Sequence, residues 1–272
     1  MTHTSPSKLI GNKSLSLEYF TNLRWQNGQI CPSCFSNHKL YVLNDKRFKC
    51  SKCFYRFNHL SNTYLGRLYI PIEDTSHLLY LFTMDIPAFK TKQYLPVSLK
   101  TAHRAYRIFR KAIYDYSLKE INSLKIADTS IAFKSWPIYK NKFVMGFAKN
   151  GHKVHTFPLN KSRSAEIISS FKTTHSVGDL IYGDQSNAFS LIPININITL
   201  DRQTTPHKKR PDEDALIEQY WNYFKNRINN YRGIPKKYFP YYLKEAEFRF
   251  NHKHDDLFLE LSKLVTSPIN RT

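Results

Sequence analysis

CPSCFSNHKLYVLNDKRFKCSKC, residues 31–53, holds all four cysteines of a 272-residue chain, as two Cys-x-x-Cys pairs with 15 residues between them. Each pair can turn two sulfurs toward one metal ion. The spacing matches a knuckle, a hairpin and a second knuckle around one tetrahedral Zn2+ with Cys31, Cys34, Cys50 and Cys53 as ligands. Between the pairs, KLYVLNDKRFKC reads as a hairpin with Asn44-Asp45 at its turn. Two structural disulfides are the alternative. The N-terminus, MTHTSPSKLIGNKSL, has no apolar signal segment to support an oxidising compartment. Four thiolates leave no open coordination position, so the expected role of this zinc is structural. So short a segment holds little apolar core, which leaves the metal to supply its folding free energy.

Working outward, the formal charge of +20, from 41 Lys and Arg against 21 Asp and Glu, fits a polyanionic partner. Aromatic residues make up 15 %, enough for real cores and too many for a disordered basic tail. No stretch approaches the roughly 20 apolar residues of a membrane span. These features exclude a membrane-spanning protein and favour nucleic-acid binding, with a merely solvated basic surface or a ribosome-associated protein as the alternatives.

Four segments follow from the patterning. Residues 1–65 hold a helical lead-in, SLEYFTNLRWQNGQICP, and the ribbon, where Lys46, Arg47, Lys49, Lys52 and Arg56 surround the knuckles. Residues 66–120 are helical and basic. There, PVSLKTAHRAYRIFRKAIYDYSLK reads as an amphipathic helix with Ser98 as N-cap. Lys100, Arg104, Arg107 and Lys111 fall on one face as candidate DNA contacts, and Ala102, Ala105, Phe109 and Ala112 fall opposite. A helix-turn-helix needs an earlier helix packed across this one, and TSHLLYLFTMDIPAF can supply it. Residues 121–256 read as α/β, and residues 257–272 as a C-terminal tail.

Within 121–256, LKIADTSIAF is a strand candidate carrying Asp128. KFVMGFAKNGHKVHTFPL is a hairpin turning at Asn150-Gly151, SRSAEIISSFKTT a helix, and DLIYGDQSNAF a strand candidate ending in Asp184. Helices close the chain from near Asp212, so the expected domain is a mixed sheet flanked by helices. A carboxylate in apolar strand sequence is costly to bury unless it is paired, hydrogen-bonded or metal-bound. In ALIEQYWNYFKNRINNY, Ile217, Tyr220, Trp221, Phe224 and Ile228 form an apolar side. Glu218, Asn222, Lys225 and Asn229 line an adjoining polar side. Glu218 could reach a metal and Lys225 a phosphate; an ordinary exposed helix face is the alternative.

LRWQNGQICPSC with its ribbon, the basic helix, IADTSI, IYGDQSNAF, IEQYWNYFKNRINNYRGIPKKYF and YYLKEAEFRFNHK occur in an order that resembles the DDE transposases of the zinc-ribbon-bearing bacterial insertion sequences, the ISXO type. The resemblance spans roughly 15–255. It implies an RNase H-like catalytic core whose triad falls on Asp128, Asp184 and Glu218, with two Mg2+ or Mn2+ ions held there, and Lys225 as a basic DNA contact. It further implies binding of terminal inverted repeats and target DNA, strand cleavage and strand transfer, at least a dimer on DNA, and a cytoplasmic, nucleoid-associated place in a bacterium. Thr129 stands where many members carry a second acid, AFKSW replaces their glycine-rich continuation, and DEDAL matches poorly their His/Asn pair before the glutamate. These departures favour one rival, a catalytically silent transposase-derived DNA-binding regulator. A metal-dependent nuclease that cuts without joining is the other.

Overall fold

The computed structural model describes residues 5–45, 47–123, 130–138, 141–158, 181–183, 213–231 and 234–269. In chain order the elements are α1 (Pro6–Leu9), α2 (Lys13–Arg24), β1 (Leu40–Val42), β2 (Phe48–Cys50), β3 (Arg56–Phe57), α3 (Ile72–Thr83), α4 (Leu99–Ser123), β4 (Ser130–Ile138), β5 (Asn141–Asn150), β6 (Lys153–Pro158), β7 (Ile181–Gly183), α5 (Glu213–Asn229), α6 (Phe239–Asn251) and α7 (Leu257–Thr266). The chain divides into two units, Met1–Ile113 with His254–Thr272, and Tyr114–Lys253.

In the first unit, the Asn12 side chain caps α2 by accepting from Leu15 N at 3.0 Å. The ribbon is an antiparallel sheet in the order β1-β2-β3. Val42 pairs with Phe48, and Leu43 N donates to Arg47 O at 2.8 Å, which puts the hairpin turn at Asn44-Asp45 as expected. Ser98 caps α4 as the sequence predicts, accepting from Thr101 N at 3.1 Å. Ala102, Ala105, Phe109 and Ala112 are all buried, so the 3.6-residue period decided this face correctly. The Phe82 ring of α3 packs edge-on against Tyr106 and Phe109 of α4, supplying the expected earlier helix. A 3-10 turn, Ala88–Gln93, lies between them.

The stretch after residue 256, expected as a tail, instead forms α7. Asp256 caps it by accepting from Phe258 N and Leu259 N. Phe258 stacks on Tyr19 of α2 and meets Tyr80 of α3 edge-on. Ile269 N then donates to Asn62 O at 2.9 Å. Leu261 and Val265 are fully buried, so this helix belongs to the core of the first unit. Its apolar spacing was legible in LFLELSKLV; its docking site, more than 150 residues away along the chain, was not.

The second unit contains a mixed sheet in the order β6-β5-β4-β7. The β4, β5 and β6 strands form an antiparallel meander, and β7 runs parallel to β4 with Ile131 opposite Ile181 and Phe133 opposite Gly183. Gly151 takes φ +56° at the β5–β6 turn, where Asn150 pairs with Lys153. Glycine adopts that left-handed value without the Cβ clash other residues suffer. The apolar side of α5 (Ile217, Tyr220, Trp221, Phe224 and Ile228) packs with Phe239, Leu243 and Phe250 into one cluster. The expected helix at SRSAEIISSFKTT lies outside the described residues.

In the described sheet β6 is an edge strand, and among the described residues no strand pairs with its outer side. Residues three and four apart on α6 share a face, and Lys244, Glu247 and Asn251 present that face to β6. Asn251 pairs with both backbone groups of Val154, at 2.9 Å each. Glu247 accepts from Thr156 N at 2.7 Å and from Thr156 Oγ1 at 2.6 Å, while Lys244 Nζ donates to Thr156 O. Along the outer side of β6, three side chains thus take the place that a neighbouring strand's backbone would fill.

Candidate functional site

Each knuckle closes on itself in the same way. Phe35 N donates to Cys31 O at 2.9 Å and Cys31 N to Ser36 O at 3.0 Å; Phe54 N donates to Cys50 O at 3.0 Å and Cys50 N to Tyr55 O at 3.1 Å. These turns bring the sulfurs of Cys31, Cys34, Cys50 and Cys53 within 4.8 Å of one another. Cys31 Sγ lies 3.6 Å from Cys53 Sγ, and Cys34 Sγ 3.8 Å from Cys50 Sγ. Four sulfurs about 2.3 Å from a tetrahedral zinc stand about 3.8 Å apart, whereas a disulfide would draw a pair to about 2.05 Å. The donor set therefore fits one structural Zn2+ and not two disulfides. Backbone N–H groups, that of Cys53 first, bring the Cys50 thiol down to about 7, which favours a thiolate ligand. Burial pushes the Cys31 thiol up to about 12, so a bound metal has to displace its proton.

The protein core around this centre is small: Cys31, Phe48, Cys50 and Phe57, with Trp25, Cys34 and Leu40 packed against them. Arg24 ties the ribbon's exit to α2. Its guanidinium stacks 4.3 Å from the Trp25 ring and donates to Asn58 O, His59 O and Ser61 O at the start of the following loop. Burial lowers it to about 10. Of the basic residues expected around the knuckles, Lys52 and Arg56 are exposed and Lys49 half-buried. Arg47 is paired to Asp45 at 2.6 Å, and Lys46 lies outside the described residues.

The sequence reading missed the backbone at the knuckle tips. Phe35 has φ +55° and Phe54 φ +57°, in the left-handed region that bulky residues rarely enter. Both occupy the position directly after the second cysteine of a pair. That shared position was the available signal, since a turn that folds back on its first cysteine needs a left-handed residue there.

On α4, Lys100, Arg104 and Arg107 are exposed and Lys111 is half-buried. Arg104 donates to Arg67 O at 3.0 Å and lies 5.0 Å from the Tyr69 ring centre. On α5, Glu218 is exposed, and half-buried Lys225 sits 5.8 Å over the Trp221 ring, held by an aromatic face. Asp128 and Asp184 lie outside the described residues. Asp128 precedes β4 in the sequence by two residues and Asp184 directly follows β7. Of the three acids, Glu218 alone is among the described residues. Among the described residues no helix is long and apolar enough to cross a membrane.

Two family models match the chain in tandem. One, described as a transposase zinc-ribbon domain, covers residues 15–56, and the other, described as an ISXO2-like transposase domain, covers residues 139–251. The second span takes in Asp184, Glu218 and Lys225 and begins after Asp128. An uncharacterized transposase-like protein of Haemophilus influenzae is 25 % identical over 101 residues, 37 % of this chain and 82 % of that protein. No solved structure matches.

Proposed function

The chain belongs with the IS1595-type transposases, and from that premise we propose that it binds the ends of an insertion sequence and cuts and joins DNA there through Asp128, Asp184 and Glu218. Three carboxylates form an all-oxygen donor set, which suits Mg2+ or Mn2+. Two such ions, when bound, would activate the attacking oxygen and stabilise the leaving one. The chain's own residues do the rest. The acids supply the negative charge, and Lys225, two helical turns beyond Glu218, sets an ammonium where a phosphate can be held. Water cleaves the element's end to release a 3′-hydroxyl, and that hydroxyl attacks a target phosphodiester. Bonds made and broken balance without a protein nucleophile.

The observation that carries this reading is the mixed sheet, in which the strands adjoining Asp128 and Asp184 in the sequence are hydrogen-bonded parallel neighbours. It supports an RNase H-like core. The ribbon and the exposed face Lys100, Arg104 and Arg107 supply phosphate contacts, with Lys111 at its edge, and joining two element ends calls for at least two protomers. The test is a strand-transfer assay on DNA carrying the native flanks, with Mg2+ or Mn2+, comparing wild type with Asp184→Asn. Joined products from wild type alone are expected. Equal joining by the variant overturns the site. Binding without cutting by either protein replaces it with the regulator reading, for which Thr129 and DEDAL speak.

A further inference from the structure

The two left-handed residues at the knuckle tips are phenylalanines. For an L-residue this conformation crowds Cβ against the following carbonyl oxygen, and glycine is the residue that avoids the clash. A strained aromatic would be explained by packing if its ring were buried, but Phe35 is 57 % exposed and Phe54 67 % exposed. The hydrophobic cluster of the ribbon includes neither. The same costly choice is made twice, at the equivalent position of both knuckles, and among the described residues neither ring is repaid by burial in the fold. Strain of this kind accumulates where function requires it.

The surroundings specify the ligand. Lys49 Nζ lies 5.3 Å from the Phe54 ring centre, and Lys39 Nζ 5.4 Å from that of Tyr41, itself exposed. Lys52 and Arg56 flank Phe54 in the chain and are exposed. Exposed rings interleaved with cations form a surface for a polyanion that also offers flat apolar faces, which is DNA with accessible bases. A protein partner of ordinary apolar character would be poorly served by this many cations.

We infer that Phe35 and Phe54 are the base-contacting residues of the ribbon: each ring stacks on, or wedges between, DNA bases while the ribbon's cations, Lys49, Lys52 and Arg56 around Phe54 among them, hold the phosphates. This assignment rests on the proposed end binding, and it adds which residues touch bases. Glycine at either position would relieve the backbone and remove the ring, so fold stability and DNA affinity should move in opposite directions.

The experiment uses the full-length, zinc-loaded chain and a duplex carrying the DNA that flanks its coding region. Phe35→Gly and Phe54→Gly are each expected to weaken binding by roughly 5- to 150-fold, with the salt dependence unchanged because no charge is removed. Zinc should resist a chelator at least as well as in wild type. Phe54→Leu, which keeps apolar area but no π face, should lose affinity too. Unchanged affinity in the glycine variants overturns the assignment, as does a loss that tracks zinc release. Cys50→Ser separates this from the parent reading. If binding survives unfolding of the ribbon, the ribbon is not an end-binding element and the assignment falls while end binding stands; if wild type itself does not bind the duplex, the parent reading falls. If binding needs the ribbon but not the rings, only the assignment falls.

Discussion

Replacing Glu247 with alanine would remove the acceptor at the centre of the sheet edge. The Glu247 carboxylate, 2 % exposed, takes hydrogen bonds from Thr156 N, Thr156 Oγ1, Ser117 Oγ and Lys244 Nζ, and Lys244 is 1 % exposed. Alanine strands a buried ammonium, a loss of about 3–5 kcal/mol in comparable buried pairs. It also leaves three neutral donors without their acceptor, at about 1–3 kcal/mol each if none finds another partner. The terms overlap, because relaxation that admits water serves all of them, so the expected net loss is about 4–6 kcal/mol. That is a large share of a typical domain's 5–15 kcal/mol. Burial already lowers the Lys244 pKa from its ordinary value, against the pull of Glu247. With the carboxylate gone it falls further, so the penalty is full near neutral pH and shrinks as pH rises toward the unfolded-state value near 10.5. The assay is denaturant unfolding of the zinc-loaded full chain at several pH values, with hydrogen exchange at Val154 and Thr156 as the local probe. Lys244→Met combined with Glu247→Gln should lose less than the two single losses added together, because neither buried charge is then left alone. A loss below about 1 kcal/mol for Glu247→Ala would refute the reasoning, since four donors cannot surrender a buried carboxylate at so little cost.

Removing zinc by chelation, or weakening the site with Cys50→Ser, should abolish exchange protection in residues 31–57, because the remaining protein core is four buried side chains; persistent protection without metal would show the core to be sufficient. Acid should destabilise the chain before its carboxylates titrate. Burial holds the His59, His77 and His155 imidazoles below their ordinary value near 6.5, and at His155 it outweighs the upward pull of Glu247 and Glu120 while Lys244 and Lys153 add to the lowering. A base with a lowered folded-state pKa leaves the unfolded chain binding more protons. Stability is therefore complete above about pH 6.5 and falls as pH drops through that value. Unfolding midpoints measured between pH 7.5 and 5.5 should show this slope, and His155→Gln should flatten it; an unchanged slope in that variant would remove His155 as a source.

Much of this protein is local and so was written in the sequence. The cysteine spacing defined the ribbon, since two short turns and a hairpin leave the sulfurs little freedom. The period of Ala102, Ala105, Phe109 and Ala112 defined the buried face of α4, and that of Ile217, Tyr220, Trp221, Phe224 and Ile228 the buried face of α5, because a helix maps sequence spacing directly onto a surface. Glu218 and Lys225 were legible as a polar face for the same reason.

Tertiary structure decided what depends on contacts distant in the chain. Nothing in LFLELSKLV says that its apolar stripe is buried against helices near the N-terminus. The polar Lys244, Glu247 and Asn251 look like a solvated helix face in sequence, yet Lys244 and Glu247 are buried and Asn251 half-buried, because the backbone of β6 takes its hydrogen bonds from them at that spacing. The shared place of Phe35 and Phe54, directly after the second cysteine of each pair, was legible in the sequence, but their left-handed φ and the exposure of their rings became visible only in the structure. Hydrophobic period reports which side of an element is buried; only the assembled fold reports what the polar groups on that side must satisfy.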